Sequence, residues 1–126
     1  MLDDSKSAPA PMGKILVGTQ LYGWGQAYAR DGKRLDDHLD DALAAIHDAG
    51  FDYAEGFLDV SRPENNAKFA ERAAAKGLAP VCIYTGAKLH EEATAGQTID
   101  QILAAAKVCR EAGYVVLNCN PDPIGR

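Results

Sequence analysis

The sequence predicts an α/β fold built from parallel (β/α) repeats. Three helix-to-strand joints share one pattern, in which a glycine ends a helix and a short apolar stretch follows. These glycines are Gly50, Gly77 and Gly113, so each repeat takes roughly thirty residues. The stretches after them are largely apolar, as strands buried in a parallel sheet are. Two architectures fit this pattern, a (β/α)8 barrel and an open doubly wound sheet.

Composition limits the classes of protein that the chain can belong to. It has 126 residues, 47% hydrophobic and 25% charged, which suits a single globular domain or part of one. The net charge of -5 argues against a general affinity for nucleic acid or anionic membranes. No apolar run approaches the roughly 18 residues of a membrane-spanning helix. Cys82, Cys109 and Cys119 lie in apolar segments without a C-x-x-C pair, which predicts reduced thiols and a cytoplasmic protein.

The first half of the chain contains two predicted strands and one helix. Residues 1–13 are polar and lack the apolar segment of a signal peptide, so we expect a flexible tail before a domain at 14–126. Residues 14–20 are nearly all apolar or β-branched and predict a strand buried on both faces. Residues 21–34 are rich in glycine and aromatic side chains and predict a long loop, of a length that is usually functional or disordered. The apolar positions of residues 35–50 recur at helical spacing, and residues 51–54 form a second strand that leads into Glu55.

The second half repeats the pattern twice. Residues 61–64 begin a helix, in which Pro63 suits the first turn, and Gly77 ends it. A third strand is expected over residues 78–84, beginning at or after Pro80. The capping box at Thr98 begins a third helix, and residues 114–118 form a fourth strand. Four strands and three helices amount to half of a (β/α)8 barrel, in which the outer strands have unpaired edges.

Four stretches at the predicted strands carry a resemblance to a known family. They are GTQLYGW, AGFDYAEGF, the histidine His90 shortly after strand three, and VVLNCNPDP. They resemble the sugar-phosphate isomerase/epimerase family, which has the xylose-isomerase-like TIM barrel fold. The resemblance covers about residues 14–123. It implies the N-terminal half of a TIM (β/α)8 barrel, because proteins of that family are about twice as long.

The resemblance also implies chemistry. The family consists of divalent-metal enzymes (Mn, Mg, Zn or Co) that act on a small sugar or polyol at the carboxyl ends of the barrel strands. Its principal metal ligands lie largely on the later strands. We therefore expect that this chain alone binds no metal tightly and is inactive as an enzyme, and its own metal ligands are unknown.

Glu55 is the catalytic candidate. It follows the second strand, where barrel enzymes place functional side chains, and could bind a sugar hydroxyl or act as a base. The alternative is a solvated acid, or one paired with Lys88 or Arg62. If Glu55 lies at the mouth of a barrel, Glu55→Gln should change the free energy of unfolding by less than about 0.5 kcal/mol.

Other polar and aromatic side chains are candidates for substrate binding. Tyr22 and Trp24 could stack on the C–H faces of a sugar, or could pack together to close their own loop. Gln20 and Asn118 carry donors and acceptors for hydroxyl groups. Asn120 shares a face with Asn118 if the strand extends that far, although turn formation before the next proline also explains it.

His90 completes the set of substrate-binding candidates. With acids beside it, it could be a metal ligand or a proton shuttle, and the alternative is a structural or exposed histidine. The full set is Gln20, Tyr22, Trp24, Glu55, His90 and Asn118.

The sequence thus predicts half of a metal-dependent sugar isomerase or epimerase barrel that contributes substrate contacts. The alternative is a non-catalytic half-barrel that acts as a binding or self-assembly module. Phosphodiester cleavage is disfavoured, because it needs clustered histidines and preferably a basic groove. The expected partners are a small sugar or polyol, and either a second copy of the chain or a missing C-terminal half, with no nucleic acid and no membrane.

Overall fold

The computed structural model describes residues 13–125 and shows an α/β fold, which confirms the predicted class. The strands are Gly18–Gln20 (β1), Tyr53–Phe57 (β2), Cys82–Ala87 (β3) and Val116–Pro121 (β4). The helices are Leu21–Arg30 (α1), Leu39–Asp48 (α2), Glu64–Ala75 (α3) and Glu92–Glu111 (α4), and a 3-10 helix at Leu35–His38 precedes α2. All neighbouring strands are parallel, in the order β1-β2-β3-β4.

Two apolar clusters join the helices to one face of the sheet. The first brings together residues of α1, α2, β2 and α3, namely Leu21, Leu43, Ile46, Ala54 and Ala73, with Leu78 from the segment after α3. The second contains Ala70, Ile83, Cys109 and Tyr114, from α3, β3, α4 and the segment before β4. Because side chains alternate along a strand, residues next to Ala54 and Ile83 point to the opposite face of the sheet. That opposite face carries Glu55.

The three predicted joint glycines end helices as expected. Gly50, Gly77 and Gly113 have φ angles of 94°, 83° and 103°, which a residue with a Cβ atom rarely adopts. In each case the N–H of the following residue donates to a carbonyl five residues earlier, as in a Schellman motif. These bonds run from Phe51 to Ile46, from Leu78 to Ala73 and from Tyr114 to Cys109. The motif therefore ties each helix end to residues of the two clusters.

The prediction of a loop over residues 21–34 is wrong, because α1 occupies most of this segment. Leu21 is buried and Trp24 packs against the first cluster, so one helical face is held by tertiary contacts. Gly23 and Gly25 each make a helix less favourable by roughly 1 kcal/mol relative to alanine. The sequence of this segment therefore does not predict a helix.

Helix α4 begins at Glu92, before the predicted capping residue Thr98. Ile99 and Leu103 recur at helical spacing, which predicts that they share a buried stripe of this helix, but they are 46% and 56% exposed. The buried positions are Ala105 and Cys109, in the C-terminal half of the helix. Only that half lies against the described core.

The expectation that strand one is buried on both faces is also wrong. Only Gly18–Gln20 pairs with β2, and Ile15 is 84% exposed. At the other edge of the sheet, Val115 is 78% exposed and Val116 is 50% exposed. Within residues 13–125, each outer strand pairs on one side only. The third strand begins after Pro80, as predicted, and extends to Ala87.

Two further predictions concern the N-terminal tail and membrane-spanning helices. Residues 1–12 of the predicted tail lie outside the described residues. None of the helices between residues 13 and 125 combines the length and apolar character needed to cross a membrane.

Asp59 organises the loop that joins β2 to α3. Its carboxylate accepts hydrogen bonds from Asn65 Nδ2 at 2.9 Å, from Ser61 Oγ at 2.8 Å and from the Arg62 N–H at 2.9 Å. These bonds, that of Asn65 first, lower the pKa of Asp59 to about 2. The buried Asn66 side chain bonds both backbone groups of Asp59. The loop at the carboxyl end of β2 is therefore fixed by side chains.

We predict that this loop makes the stability of the protein depend on acid pH. Since folding lowers the pKa of Asp59 from 3.8 to about 2, its contribution is present above pH 3.8 and is lost as the pH falls towards 2. Urea denaturation across this range should show a falling midpoint, and Asp59→Asn should flatten the fall. Asp36→Asn is the control, because the Asp36 side chain is 82% exposed. An equal flattening in both variants would contradict the prediction.

Candidate functional site

A cleft of about 250 Å³ lies at the carboxyl ends of the strands. Parallel strands bring their carboxyl ends to one edge of a sheet, which is where α/β proteins place ligands. The cleft is lined by Gln20, Tyr22, Glu55, Phe57, Tyr84 and Asn120. All four strands contribute to it or adjoin it, so residues distant in sequence meet at this edge.

Glu55 lies at the base of the cleft and is 8% exposed. Gln20 Nε2 donates to its Oε1 at 2.7 Å, and Cys82 Sγ donates to its Oε2 at 2.8 Å. The sheet register explains both bonds. Gln20 is the β1 partner of Glu55, and the pairing of Gly56 with Ile83 places Cys82 beside Glu55 on the other side. One donor for each oxygen holds the carboxylate in a single orientation.

No cation of residues 13–125 forms an ion pair with Glu55. The alternative of a partner at Lys88 or Arg62 is wrong, because Lys88 lies 3.7 Å from Glu91 and Arg62 lies 3.5 Å from Asp59. Nor is Glu55 solvated, since more than nine tenths of it is buried. Its carboxylate therefore makes the base of the cleft electronegative.

Cys82 serves as a hydrogen-bond donor to this carboxylate. Burial, and then the hydrogen bond and the charge of Glu55, raise the pKa of the Cys82 thiol to about 12. The thiol is therefore protonated at neutral pH and is a poor nucleophile. The prediction of buried free thiols is confirmed for Cys82 and Cys109, whereas Cys119 is only half-buried.

Aromatic rings form much of the rest of the cleft. Phe57 and Tyr84 are partners in the β2–β3 register, and their rings pack edge to face at 6.1 Å. Tyr22 is 61% exposed, and its hydroxyl accepts a hydrogen bond from Gln26 Nε2 at 2.8 Å. The sequence does not single out Phe57 and Tyr84 as site residues, because apolar residues on strands usually belong to the core. Side chains alternate along a strand, however, and this alternation places Phe57 on the same face as Glu55.

Three of the six predicted substrate-binding residues line the cleft, namely Gln20, Tyr22 and Glu55. Trp24 packs on the first apolar cluster instead, and the alternative that it closes a loop with Tyr22 is wrong, because both residues lie on α1. His90 is exposed in the turn between β3 and α4. Asn118 is exposed on the same β4 face as Asn120, but it is Asn120 that reaches the cleft.

The residues of the cleft do not by themselves make a metal site. Within the part of the chain that the structure describes, no three His, Cys, Asp or Glu side chains lie close enough to share an ion. Glu55 is the one carboxylate among the residues that line the cleft. The donor set of residues 13–125 thus does not fit the divalent metal that the family resemblance implies.

Comparisons with protein-family models, with curated proteins and with solved structures gave no match. The fold and the site define the class: an α/β protein with a polar and aromatic cleft at the carboxyl edge of a parallel sheet.

We predict that the two sides of the Gln20–Glu55 bond respond unequally to substitution. Gln20→Leu removes the donor to Oε1 and leaves a buried acceptor unpaired, which should lower the free energy of unfolding by about 1–3 kcal/mol. Glu55→Gln keeps an acceptor for Gln20, removes a buried charge and turns an amide N–H towards Cys82 Sγ, a weak acceptor, so its effect should be smaller than that of Gln20→Leu. Urea denaturation of both variants measures the difference. A loss of several kcal/mol in Glu55→Gln would instead make the carboxylate a structural element and remove it from the site.

Proposed function

We propose that this chain forms the substrate-binding half of a (β/α) barrel that acts on a small sugar or polyol, with isomerase or epimerase chemistry. The observation that carries the proposal is the cleft, where the fixed carboxylate of Glu55 lies among amide groups and aromatic rings. The resemblance of the four strand stretches to the sugar-phosphate isomerase/epimerase family supports the same assignment.

The sheet supports the half-barrel part of the proposal. A doubly wound sheet reverses its strand order at a switch point, whereas strands that follow one another in sequence order are typical of barrels. Here the order is β1-β2-β3-β4. The face that carries Glu55 is also the face that would line a barrel. Phe57 and Val116, at alternate positions on that face, are 56% and 50% exposed.

The cleft has the groups that recognise hydroxyls. Each oxygen of Glu55 accepts one hydrogen bond and has a further lone pair, so the carboxylate could also accept from a ligand hydroxyl. Asn120 adds a side-chain amide at the opposite end of the sheet from β1. The rings of Tyr22, Phe57 and Tyr84 offer flat faces for the C–H groups of a sugar.

Glu55 is the residue of the cleft that could take a proton from the carbon next to a carbonyl. That step also requires the carbonyl oxygen to be polarised, and the residues that line the cleft offer only neutral donors for this purpose, namely side-chain amides and tyrosine hydroxyls. Turnover therefore requires groups from outside these residues. The role that we assign to this chain is substrate binding. The second candidate is a non-catalytic half-barrel that binds a partner or self-assembles. The observation that favours it is that both edges of the sheet are unpaired in the described residues.

Sugar binding should be measurable by saturation-transfer NMR with glucose and xylitol. We expect Asn120→Ala to weaken binding by about tenfold, because it removes one pair of hydrogen-bonding groups. Glu92→Gln is the control, since Glu92 is exposed on the first turn of α4 and lies outside the cleft. Absence of binding in the unmodified chain, or equal binding in the Asn120 variant, would count against the proposal.

We predict that the chain self-associates. Val115 and Val116 expose apolar surface next to the unpaired edge of β4, and Ile15 does so near β1. Pairing of β4 with β1 of a second copy, repeated by two-fold symmetry, would give an eight-stranded ring. Light scattering over a dilution series should show a mass above that of the 13.4 kDa chain. A monodisperse monomer with a sharp melting transition would contradict the half-barrel and favour a complete small open-sheet domain.

A further inference from the structure

We propose that the cleft selects a polyol that carries a positive charge, such as an amino sugar, over neutral and phosphorylated sugars. The inference rests on the proposed function, because it concerns the same cleft, and it adds the charge of the ligand. Two independent features of the cleft carry it: a buried carboxylate that has no counter-ion among residues 13–125, and a lining of aromatic rings.

The first feature is the charge of Glu55. Its two hydrogen-bond donors, Gln20 Nε2 and Cys82 Sγ, are both neutral. Burial of a carboxylate without an opposite charge is costly, and neutral donors offset only part of the cost. A ligand that brings a cation to the open side of Glu55 supplies the missing charge. The desolvation of Glu55 already lowers the stability of the free protein, so a cationic ligand that pairs with this carboxylate binds more tightly.

The second feature is the set of aromatic rings that line the same cleft as this carboxylate. Tyr22, Phe57 and Tyr84 line the same cleft, and the last two are in edge-to-face contact. Aromatic faces attract ammonium groups through the ring quadrupole, and several rings around a site are a common means of binding organic cations. A neutral sugar gains from ring stacking alone, whereas an amino sugar gains from stacking and from the cation–π contact.

The same lining disfavours a phosphate. None of the six residues that line the cleft is a Lys, an Arg or a His. A phosphate would meet the electronegative base of the cleft without a cation to bind it. An inorganic cation is the other possible counter-charge, but it needs several oxygen, nitrogen or sulfur ligands, and no such cluster occurs in residues 13–125. An organic cation needs only the carboxylate and the rings.

Three sugars that differ in one substituent test the inference: glucosamine, glucose and glucose 6-phosphate. Calorimetry on the full chain at about pH 6.5, where the amine is protonated, should give the tightest binding for glucosamine and the weakest for the phosphate. We expect glucosamine to bind at least about tenfold more tightly than glucose at low salt. The ratio should shrink as salt is added, because the preference is electrostatic.

Substitutions in the cleft test whether the preference for glucosamine over glucose arises there. Glu55→Gln should weaken glucosamine binding more than glucose binding, so that the ratio of the two affinities falls to about one, and Tyr84→Leu should reduce this ratio in part. Glu92→Gln removes an exposed carboxylate outside the cleft and should leave the ratio unchanged. Near-UV circular dichroism checks folding. If Glu55→Gln does not fold, the Tyr84 variant and the salt dependence decide the question.

The possible outcomes separate this inference from the proposed function. If glucose binds as tightly as glucosamine, or if the Glu55 variant keeps the preference, the charge inference is overturned and sugar binding stands. If tetramethylammonium binds but none of the three sugars does, both the sugar function and the polyol part of the inference are overturned. If nothing binds, both proposals fail.

Discussion

The parallel register of β1, β2 and β3 is the constraint on which the cleft depends. It sets Gln20, Glu55 and Cys82 side by side on one face of the sheet. Each oxygen of the central carboxylate then receives one donor, so its position is fixed before any ligand arrives. A shift of one residue in either pairing would turn the partner side chain to the opposite face and leave a buried carboxylate oxygen unpaired. The register is therefore a requirement of the site as much as of the sheet.

The register is in turn held by the helices. Each of α2, α3 and α4 ends at a glycine, and the next residue bonds back to the helix it has just left. These hydrogen bonds fix the position at which the chain leaves each helix and enters the following strand. Because the described apolar clusters contain Ala54 and Ile83, the helices hold one face of the sheet, and the face that carries Glu55 is left for the cleft.

That second face is unfavourable for stability in a way that suits a binding site. Glu55 is a buried charge without an ion pair in the described residues, and Phe57 keeps more than half of its surface in solvent. Both features reduce the stability of the free protein relative to a sealed apolar face, and a ligand in the cleft would improve both. Val115 and Val116 also expose apolar surface, at the edge of the sheet. Further strands, rather than a small ligand, would cover these two side chains.

The sequence by itself determined the α/β class and the three helix ends, because glycine and helical periodicity act through neighbouring residues. It placed Glu55 after the second strand, whereas Glu55 lies within β2, Tyr53–Phe57. It could not locate α1, whose glycines oppose a helix that the burial of Leu21 and the packing of Trp24 nevertheless stabilise. Nor could it show that Cys82 would be a donor to Glu55, or that Tyr84 would face the cleft. Those facts depend on strand pairing across long separations, which only the tertiary structure decides, because register is set by packing between segments and not within them.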